Sequence, residues 1–310
     1  MQRLSSISEL AALEAPVHLA LGVFDGVHLG HQAVIAKAVA AARASGGTAG
    51  VLTFDPYPLR VLAPEKAPQR LLASLDHKAS ILEPLDVDFL LALPFDRRQA
   101  SVEAEDFVSA LVGAGARTIC AGEDWRFGHK RSGDSRLLGE LAGRLGFRFE
   151  AVPPVMMDGE RISSTRIRQA IRDGNLDAAA GMLGRPYTVA GTVIEGRKLG
   201  RELGFPTANL ERGEEQYPPD GVWAVRVSIG GRQLDGVANL GIRPTIDGED
   251  RLLEVHCFDV DADFYGQTME VEFVRRIRGQ EKFGSLEELK QRIGEDRAEA
   301  MYILRGAEGV

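Results

Sequence analysis

The amino-acid sequence predicts an α/β protein of two domains: an N-terminal Rossmann-like parallel sheet, then a small C-terminal antiparallel β-barrel with a terminal helix. A chain of 310 residues with 44% hydrophobic residues can bury two separate cores. In the first half, apolar runs of strand length alternate with helical patterns, and after residue 184 short β-rich runs are broken by glycine. We therefore expect domains at residues 1–184 and 185–310.

The first half contains five predicted strands separated by four predicted helices. The strands are expected at 17–24, 49–54, 87–93, 117–121 and 147–152, and the helices at 29–44, 75–85, 102–112 and 135–145. Near-continuous apolar strands between amphipathic helices are typical of a parallel sheet covered on both faces. Ligands of such sheets bind at the carboxyl ends of the strands, so we expect the functional loops there.

The second half is predicted to form a β-barrel with a helix packed on it. Five strands are expected at 187–194, 221–229, 232–240, 252–260 and 269–277. Short strands of this kind with frequent turns favour a small closed antiparallel barrel. Residues 285–304 have helical periodicity and are expected to pack on that barrel.

Composition limits the function. The chain carries 37 Lys and Arg against 45 Asp and Glu, a net charge of −8, so we expect neither nucleic acid nor a membrane as partner. Cys120 and Cys257 lie in apolar stretches outside any zinc-type spacing, which predicts buried thiols in a reducing compartment. The sequence shows no leader pattern and no apolar run of membrane-spanning length, so we expect a cytoplasmic protein. The sequence leaves the oligomeric state open, and a homo-oligomer is one of the candidates.

Two motifs in the predicted N-terminal domain point to a polyphosphate. GVHLGH, residues 26–31, offers His28 and His31 at a turn that enters a helix, and RISSTRIR, residues 161–168, places hydroxyls at a helix start between arginines. The N–H groups and dipole of a helix start and the guanidinium groups all favour phosphate. Each motif also has a purely structural interpretation. The histidines could form a structural pair, and the hydroxyls could form an ordinary N-cap, but an N-cap does not explain the arginines.

A third constellation, GTVIEGRKLGRELGFPTANL, occupies residues 191–210. Its glycines let a backbone approach a charged ligand, although a β-turn is the favoured explanation for any one of them alone. It is not a Walker A loop, because GxxxxGK[ST] does not occur in the chain. Thr207 and Asn209 offer oxygen ligands suited to Mg²⁺. Glu254 shares a strand face with His256 and Phe258, so it points into a ligand cavity or into solvent.

In the order and spacing of its motifs the chain resembles the prokaryotic bifunctional riboflavin kinase/FAD synthetases. The motifs are GVFDGVHLGH, TFDPYP, GEDWRFGHKRSGD, RISSTRIR, LLGRPYTVAGTVIEGRKLGRELGFPTANL, GVANLGIRPT and LEVHCFDVDADFYGQTMEVEF. They extend over essentially the whole chain. The resemblance implies an enzyme that uses riboflavin, FMN and ATP as substrates, with Mg²⁺, and forms FMN and then FAD.

For the N-terminal half, the resemblance implies a nucleotidylyltransferase sheet that transfers AMP from ATP to FMN. His28 and His31 would stabilise charge at the α-phosphorus, and Arg161, Ser164 and Arg168 would hold the departing pyrophosphate. The remaining implied residues are Gly22, Phe24, Asp25 and Gly26 for ATP, and Asp124, Trp125 and Phe127 for the flavin.

For the C-terminal half, the resemblance implies a six-stranded riboflavin kinase barrel. Thr207 and Asn209 would bind Mg²⁺ with the nucleotide, and Glu254 would take the proton from the 5′-hydroxyl of riboflavin. The other implied ATP residues are Gly196, Lys198, Gly200, Gly204 and Pro206.

Two positions depart from the family pattern. Tyr57 in TFDPYP stands where a histidine is usual, and Trp125 in DWRFG replaces another aromatic residue. Two other hypotheses stay open at this point. One is a single-activity nucleotidylyltransferase with a different acceptor and a purely structural barrel. The other is a flavin-binding protein without catalysis, against which the histidine and arginine sets argue.

Overall fold

The computed structural model describes residues 1–13, 16–196, 200, 203–211, 213–245, 248–260 and 262–306, with the side chains of 242–250 left out. By contacts between residues the chain divides into two compact units. The first comprises Met1–Leu71 and Leu75–Ser164, and the second Leu72–Ser74 and Thr165–Val310. The domain division expected at 184/185 stays a prediction, and by contacts the stretch 165–184 groups with the second unit.

The first unit is built on a six-stranded parallel sheet. Its strands are β1 (Gln2–Leu4), β2 (Val17–Leu21), β3 (Thr48–Asp55), β4 (Phe89–Pro94), β5 (Ala116–Gly122) and β6 (Arg148–Val152). Their order is β1-β4-β3-β2-β5-β6, and every neighbouring pair is parallel. The predicted parallel sheet is confirmed. Strand β1 was not expected, because three residues are too few to show a period.

Seven helices precede the barrel in the described part of the chain. They are α1 (Leu29–Ser45), α2 (Pro58–Leu62), α3 (Leu75–Leu82), α4 (Ala104–Gly113), α5 (Ser135–Leu145), α6 (Ser164–Arg172) and α7 (Leu176–Leu183). A two-stranded hairpin of β7 (Met156–Met157) and β8 (Glu160–Arg161) comes before α6. The third helix is shorter than predicted, since residues 83–85 form a 3-10 turn that contains Pro84.

Successive residues of a strand point to opposite faces of the sheet, and their side chains pack in two cores, one on each face. In β2, Leu19 and Leu21 pack in the core that contains residues of α4 and α5. Ala20 points the other way, into the core formed with α1 and α3. Both faces of the sheet are therefore covered, which explains why its central strands read as continuous apolar runs.

The strand order places a crevice at the ends of β2 and β5. From β2 the chain continues to β3 and β4 on one side, whereas β5 and β6 lie on the other. This reversal is the topological switch point at which open parallel sheets bind ligands, outside the carboxyl ends of the strands. The loops that leave β2 and β5 are residues 22–28 and 123–134, which carry two of the sequence motifs.

The second unit contains a closed antiparallel barrel of six strands. They are β9 (Thr188–Ile194), β10 (Ala208–Leu210), β11 (Gly221–Ile229), β12 (Arg232–Thr245), β13 (Gly248–Cys257) and β14 (Thr268–Arg278), in the order β10-β13-β12-β11-β14-β9. Strand β9 pairs with β10 and closes the barrel. Periodicity alone gave five strands, because β10 is only three residues long and lies inside the glycine-rich motif.

The terminal helix α8 (Leu286–Gly306) packs on the barrel as predicted. Ala300 and Leu304 are buried in a core with Val222 and Ala224 of β11. Among the described helices, none combines the length and apolar character needed to cross a membrane. Cys120 and Cys257 are free and buried, and burial raises the pKa of these thiols to about 12 and about 11.

A buried histidine joins three elements of the sheet unit and gives its stability a pH dependence. His18 of β2 makes hydrogen bonds of 2.9 Å between its Nδ1 and Thr118 Oγ1 and of 2.8 Å between its Nε2 and Ser45 Oγ. Burial lowers the pKa of His18 in the folded chain. Above pH about 6.5 the ring is neutral in both states. Below it the unfolded chain gains a proton that the folded chain resists, so stability falls as the pH falls.

We expect His18→Asn to reduce this acid sensitivity. An asparagine amide can replace only one of the two ring nitrogens, so the free energy of unfolding at pH 8 should fall by about 1–3 kcal/mol. Urea unfolding between pH 5 and 8 measures both effects. It is followed through Trp125 in a Trp223→Phe background, because these are the two tryptophans of the chain. Equal pH dependence with and without His18 would contradict the assignment.

Candidate active sites

The histidine loop, residues 22–28, holds an unusual backbone between β2 and α1. Phe24, Gly26 and Val27 have positive φ angles of 52°, 81° and 43°. Only glycine adopts this region without steric cost, so two of these residues are strained. Strand β2 was expected to extend to residue 24, and it ends at Leu21 because of this turn. Phe24 and Val27 are buried, which shows that packing holds the strained conformation.

His28 and His31 are brought into direct contact at the start of α1. Their rings stack with centroids 3.6 Å apart and planes 15° apart. His28 is the N-cap of α1, and its Nδ1 accepts a hydrogen bond of 3.3 Å from the His31 backbone N–H. Because Nδ1 acts as the acceptor, the neutral His28 ring carries its proton on Nε2.

The environment favours the neutral form of His31. Burial, and then the charges of His28, Lys78 and Arg161, hold its pKa well below the ordinary value. Phe24 closes one side of the ring, edge to face at 5.2 Å. Within the described residues, His31 Nδ1 is buried and has no hydrogen-bond partner. His31 can therefore offer a neutral ring to an anion at neutral pH.

The start of α6 meets the histidine loop. Ser164 Oγ donates a hydrogen bond of 2.9 Å to the Asp25 carbonyl oxygen, and Asp25 is buried. Arg161 in β8 forms an ion pair with Asp124 in the loop after β5. The structure thus brings three sequence motifs together. Arg168 is buried one turn after Ser164 in the same helix, in the part of the chain that groups with the second unit.

Gly22 and Gly26 shape the loop backbone. The Gly22 N–H donates to the Leu52 carbonyl at 3.2 Å, and a side chain at this position would lie 3.1 Å from the Phe24 ring. Gly26 lies between Phe24 and Val27 and also has a positive φ, which a glycine adopts without steric cost. The predicted ATP residues Gly22, Phe24, Asp25 and Gly26 are therefore contiguous with the histidine pair.

An aromatic cavity of about 400 Å³ lies in the same unit. Four phenylalanines line it: Phe54, Phe95, Phe107 and Phe127. Arg97, Lys130 and Arg131 also line it, which adds positive charge. Sequence reasoning missed Phe54, Phe95, Phe107 and Arg97, because they come from separate segments without a shared local pattern.

The three residues expected to bind flavin have different positions relative to this cavity. Phe127 lines it, and Trp125 stacks on Phe127 with ring centroids 4.5 Å apart. Asp124 pairs with Arg161 instead of lining it. Tyr57, the departure from the family pattern, precedes α2 as its N-terminal flanking residue.

In the barrel unit, a second cavity of about 360 Å³ gathers Thr207, Asn209 and Glu254. Glu254 of β13 pairs across the sheet with Asn209 of β10 on one side and with Asn239 of β12 on the other. Three polar side chains therefore form a row across three strands. As alternation predicted, Glu254 and His256 share this cavity, whereas Val255 and Cys257 line a neighbouring cavity of about 230 Å³. Thr207 lines both.

Glycines 196 and 200 permit the close packing around this row. A Cβ at Gly196 would lie 2.2 Å from Asn209 Nδ2, and one at Gly200 would lie 2.4 Å from the Phe205 carbonyl oxygen. Gly204 has a φ of 90°. The Pro206 carbonyl accepts a hydrogen bond of 2.8 Å from His256 Nδ1. Lys198, expected to bind ATP, lies outside the described residues.

Thr207 and Asn209 fit the requirements of a hard cation. Among the described residues, Asn209 Oδ1 is buried without a hydrogen-bond partner, so a lone pair is available for a metal. The described residues contain no group of three or more His, Cys, Asp or Glu side chains of the kind that binds zinc. The oxygens of Thr207 and Asn209 suit an ion such as Mg²⁺, which keeps water and phosphate ligands.

One wall of the barrel cavity comes from β14 and α8, which sequence reasoning did not assign. Arg278 makes a bidentate pair with buried Asp296, with Nε to Oδ1 at 2.8 Å and Nη2 to Oδ2 at 2.7 Å. Gln280 donates to Asn239 Oδ1 at 2.9 Å. A single strand-ending arginine and one helical aspartate carry no local signal, so only the fold reveals their pairing.

A sheet unit with a histidine pair at its switch point and a barrel unit with a carboxylate and oxygen ligands define a two-site phosphate-transfer enzyme. The family model described as FAD synthetase matches residues 11–166, and that described as riboflavin kinase matches residues 183–304. The chain belongs to the family of bifunctional riboflavin kinase/FMN adenylyltransferases.

Relatives in this family share the sequence of the chain, and a solved structure shares its fold. The bifunctional riboflavin kinase/FMN adenylyltransferase of Escherichia coli K12 is 41% identical over 285 residues, 91% of each chain. That of Bacillus subtilis is 36% identical over 289 residues, again 91% of each chain. A crystal structure described as a macrolide-efflux protein from Streptococcus pneumoniae has a TM-score of 0.80 at 33% identity, covering 96% of this chain and 97% of its own.

We expect Gly196→Ala to damage the kinase selectively. The added methyl group must displace the Asn209 amide, and a displacement of about 1 Å can cost about 100-fold in rate. The measurement is kcat/KM for FMN formation from riboflavin, with FAD formation from supplied FMN assayed in the same sample.

Gly294→Ala in α8 is the matched control. A Cβ there meets no atom within 4 Å, so this variant should keep both activities. Kinase activity of Gly196→Ala equal to that of Gly294→Ala would show that close packing at residue 196 is not required.

Proposed function

We propose that the sheet unit adenylylates FMN at the histidine loop and that the barrel unit phosphorylates riboflavin beside Glu254. The observation that carries this proposal is that each unit has its own set of phosphate-directed side chains, at the histidine loop in the sheet unit and in the cavity of Glu254 in the barrel unit. In the sheet unit these are histidines and arginine. In the barrel unit they are a hydroxyl, an amide and a carboxylate.

Adenylyl transfer forms a bond between an FMN phosphate oxygen and the α-phosphorus of ATP. The bond from that phosphorus to the oxygen bridging to the β-phosphate breaks, and pyrophosphate leaves. FMN phosphate is already ionised, so the reaction needs positioning and charge stabilisation and no protein nucleophile. His28, through Nε2–H, and His31 would donate to the α-phosphate oxygens.

Arg161, Ser164 and Arg168 would hold the departing pyrophosphate. The arrangement that supports the first two is their position beside the histidine loop. Arg168 follows from the motif. The backbone of Gly22, Phe24, Asp25 and Gly26 would approach ATP directly beside the histidines.

The aromatic cavity suits a flavin with a phosphate group. Phenylalanine rings can stack on the flat ring system, and Arg97, Lys130 and Arg131 would attract the phosphate of FMN. Trp125 supports Phe127 by stacking, and Asp124 acts here through its ion pair with Arg161. Riboflavin lacks the phosphate, so this charge favours FMN as the acceptor.

In the barrel cavity, Glu254 would accept the proton of the riboflavin 5′-hydroxyl as its oxygen attacks the γ-phosphorus of ATP. The bond from that phosphorus to the oxygen bridging to the β-phosphate breaks, and ADP leaves. Thr207 and Asn209 would hold Mg²⁺, which neutralises phosphate charge when bound. An alcohol, unlike a phosphate, gains from a general base, which accounts for the carboxylate.

Two cavities that share Thr207 suit a kinase with two substrates. We assign the cavity of Glu254 to riboflavin and the neighbouring one to the nucleotide. Gly196, Gly200, Gly204, Pro206 and Lys198 would approach the phosphates. A structural barrel without activity is not favoured, because the riboflavin kinase family model covers the barrel. A cytoplasmic location and a homo-oligomeric state stay predictions.

Glu254→Gln should lower kinase turnover by about 100- to 10,000-fold, because the amide cannot accept the hydroxyl proton. Riboflavin, ATP and Mg²⁺ are incubated with the full chain, and riboflavin, FMN and FAD are separated over time. KM for riboflavin should change little, and FAD formation from supplied FMN should persist. Near-normal FMN formation by this variant would remove Glu254 as the base.

His28→Asn should abolish most adenylyl transfer and leave the helix start intact. The asparagine carbonyl can still cap α1, whereas the Nε2 donor is lost. FAD formation from FMN should fall by about 100- to 1,000-fold in kcat, the usual loss for one transition-state donor. Riboflavin phosphorylation should be unaffected. If FAD formation stays within about twofold of the parent, the imidazole has no direct role.

A further inference from the structure

The strained histidine loop is held by side chains that bind its carbonyl groups. Thr53 Oγ1 donates to the Val23 carbonyl oxygen at 2.8 Å, and Gln32 Nε2 donates to the Val27 carbonyl oxygen at 2.9 Å. Ser164 makes the corresponding bond to Asp25, described above. Because left-handed Phe24 and Val27 would relax if released, these bonds determine where His28 and His31 lie.

One of the groups that holds the loop is a buried cation. Lys78 of α3 is 6% exposed, and its Nζ donates to the Val23 carbonyl oxygen at 2.9 Å. It also donates to Thr53 Oγ1 at 3.2 Å. The Thr53 hydroxyl can accept from Lys78 and donate to Val23 at once, so ammonium, hydroxyl and carbonyl form a closed triangle.

Because Lys78 is buried, water screens its charge only weakly. This charge acts at the proposed adenylyl-transfer site, since Lys78 is one of the groups that lower the pKa of His31. The same field that opposes a proton on His31 attracts a phosphate anion next to that ring.

We propose that Lys78 is a positioning residue for adenylyl transfer: it fixes the Val23 carbonyl, and with it the histidine pair, and its buried charge favours bound ATP. This inference rests on the proposed function of the sheet unit. Lys78 lies 47 residues after the GVHLGH motif and 83 residues before the RISSTRIR motif, so only the fold brings it to the histidine loop. No reacting atom needs to touch it.

The test compares Lys78→Met and Lys78→Arg in the full chain, with Lys37→Met as the matched control. Lys37 is an exposed lysine of α1 in the same unit. For each protein, kcat and the KM for ATP are measured in FAD formation from FMN. Riboflavin phosphorylation in the same sample gives an independent measure of active protein.

Lys78→Met should raise the KM for ATP and lower kcat/KM for adenylyl transfer by about 100-fold, the usual cost of a misplaced site. Lys78→Arg keeps the charge and the donor, so it should recover at least about a tenth of the parent kcat/KM. Kinase activity should stay unchanged in all three variants, and Lys37→Met should match the parent in both reactions.

The inference is overturned if Lys78→Met keeps the parent kcat and KM for ATP. It is equally overturned if the loss appears only in kcat, in proportion to a smaller folded fraction in thermal unfolding, or if Lys78→Arg is as inactive as Lys78→Met while folded. Thr53→Val, which removes the other donor to Val23, should lower kcat/KM in the same direction. A parent chain that makes no FAD from FMN and ATP would instead refute the proposed function.

Discussion

The histidine loop is the constraint on which the sheet unit depends. Its left-handed residues turn the chain sharply after β2, so that α1 begins with His28 as its cap and His31 one turn later. A regular strand continuation would carry both rings away from the crevice at the switch point. The position of the histidine pair is therefore set by a backbone conformation that the packing of Phe24 and Val27 keeps from relaxing.

In the barrel, the register between neighbouring strands sets the positions of the polar side chains. Asn209, Glu254 and Asn239 face one another because three neighbouring strands are aligned at those positions. A slip of one residue would turn Glu254 to the opposite side of its strand. The antiparallel ladder around the closed barrel prevents that slip. Strand pairing therefore fixes the positions of these side chains in the barrel, whereas a strained backbone fixes the histidine pair in the sheet unit.

Much of the fold and part of the candidate sites could be predicted from the sequence. Apolar runs that alternate with helical patterns predicted the strands β2 to β6. The two-residue period of a strand predicted which face Glu254 shares with His256. Short-range patterns could not predict β1 or β10, which are three residues long. Nor could they predict Lys78, Arg278, Asp296 or the phenylalanines of the aromatic cavity. Those side chains meet through tertiary packing, so their local sequence carries no sign of their partners.

The pairing of Arg278 with Asp296 has a consequence for synthesis of the chain. Leu289, Ile293 and Asp296, all in the terminal helix, line the cavity of Glu254. During translation the row of Asn209, Glu254 and Asn239 is made first, but its cavity has no completed wall until α8 has left the ribosome. Premature termination anywhere before α8 therefore removes the wall of the cavity assigned to riboflavin, whereas the histidine loop and the aromatic cavity are encoded upstream of the barrel and are already complete.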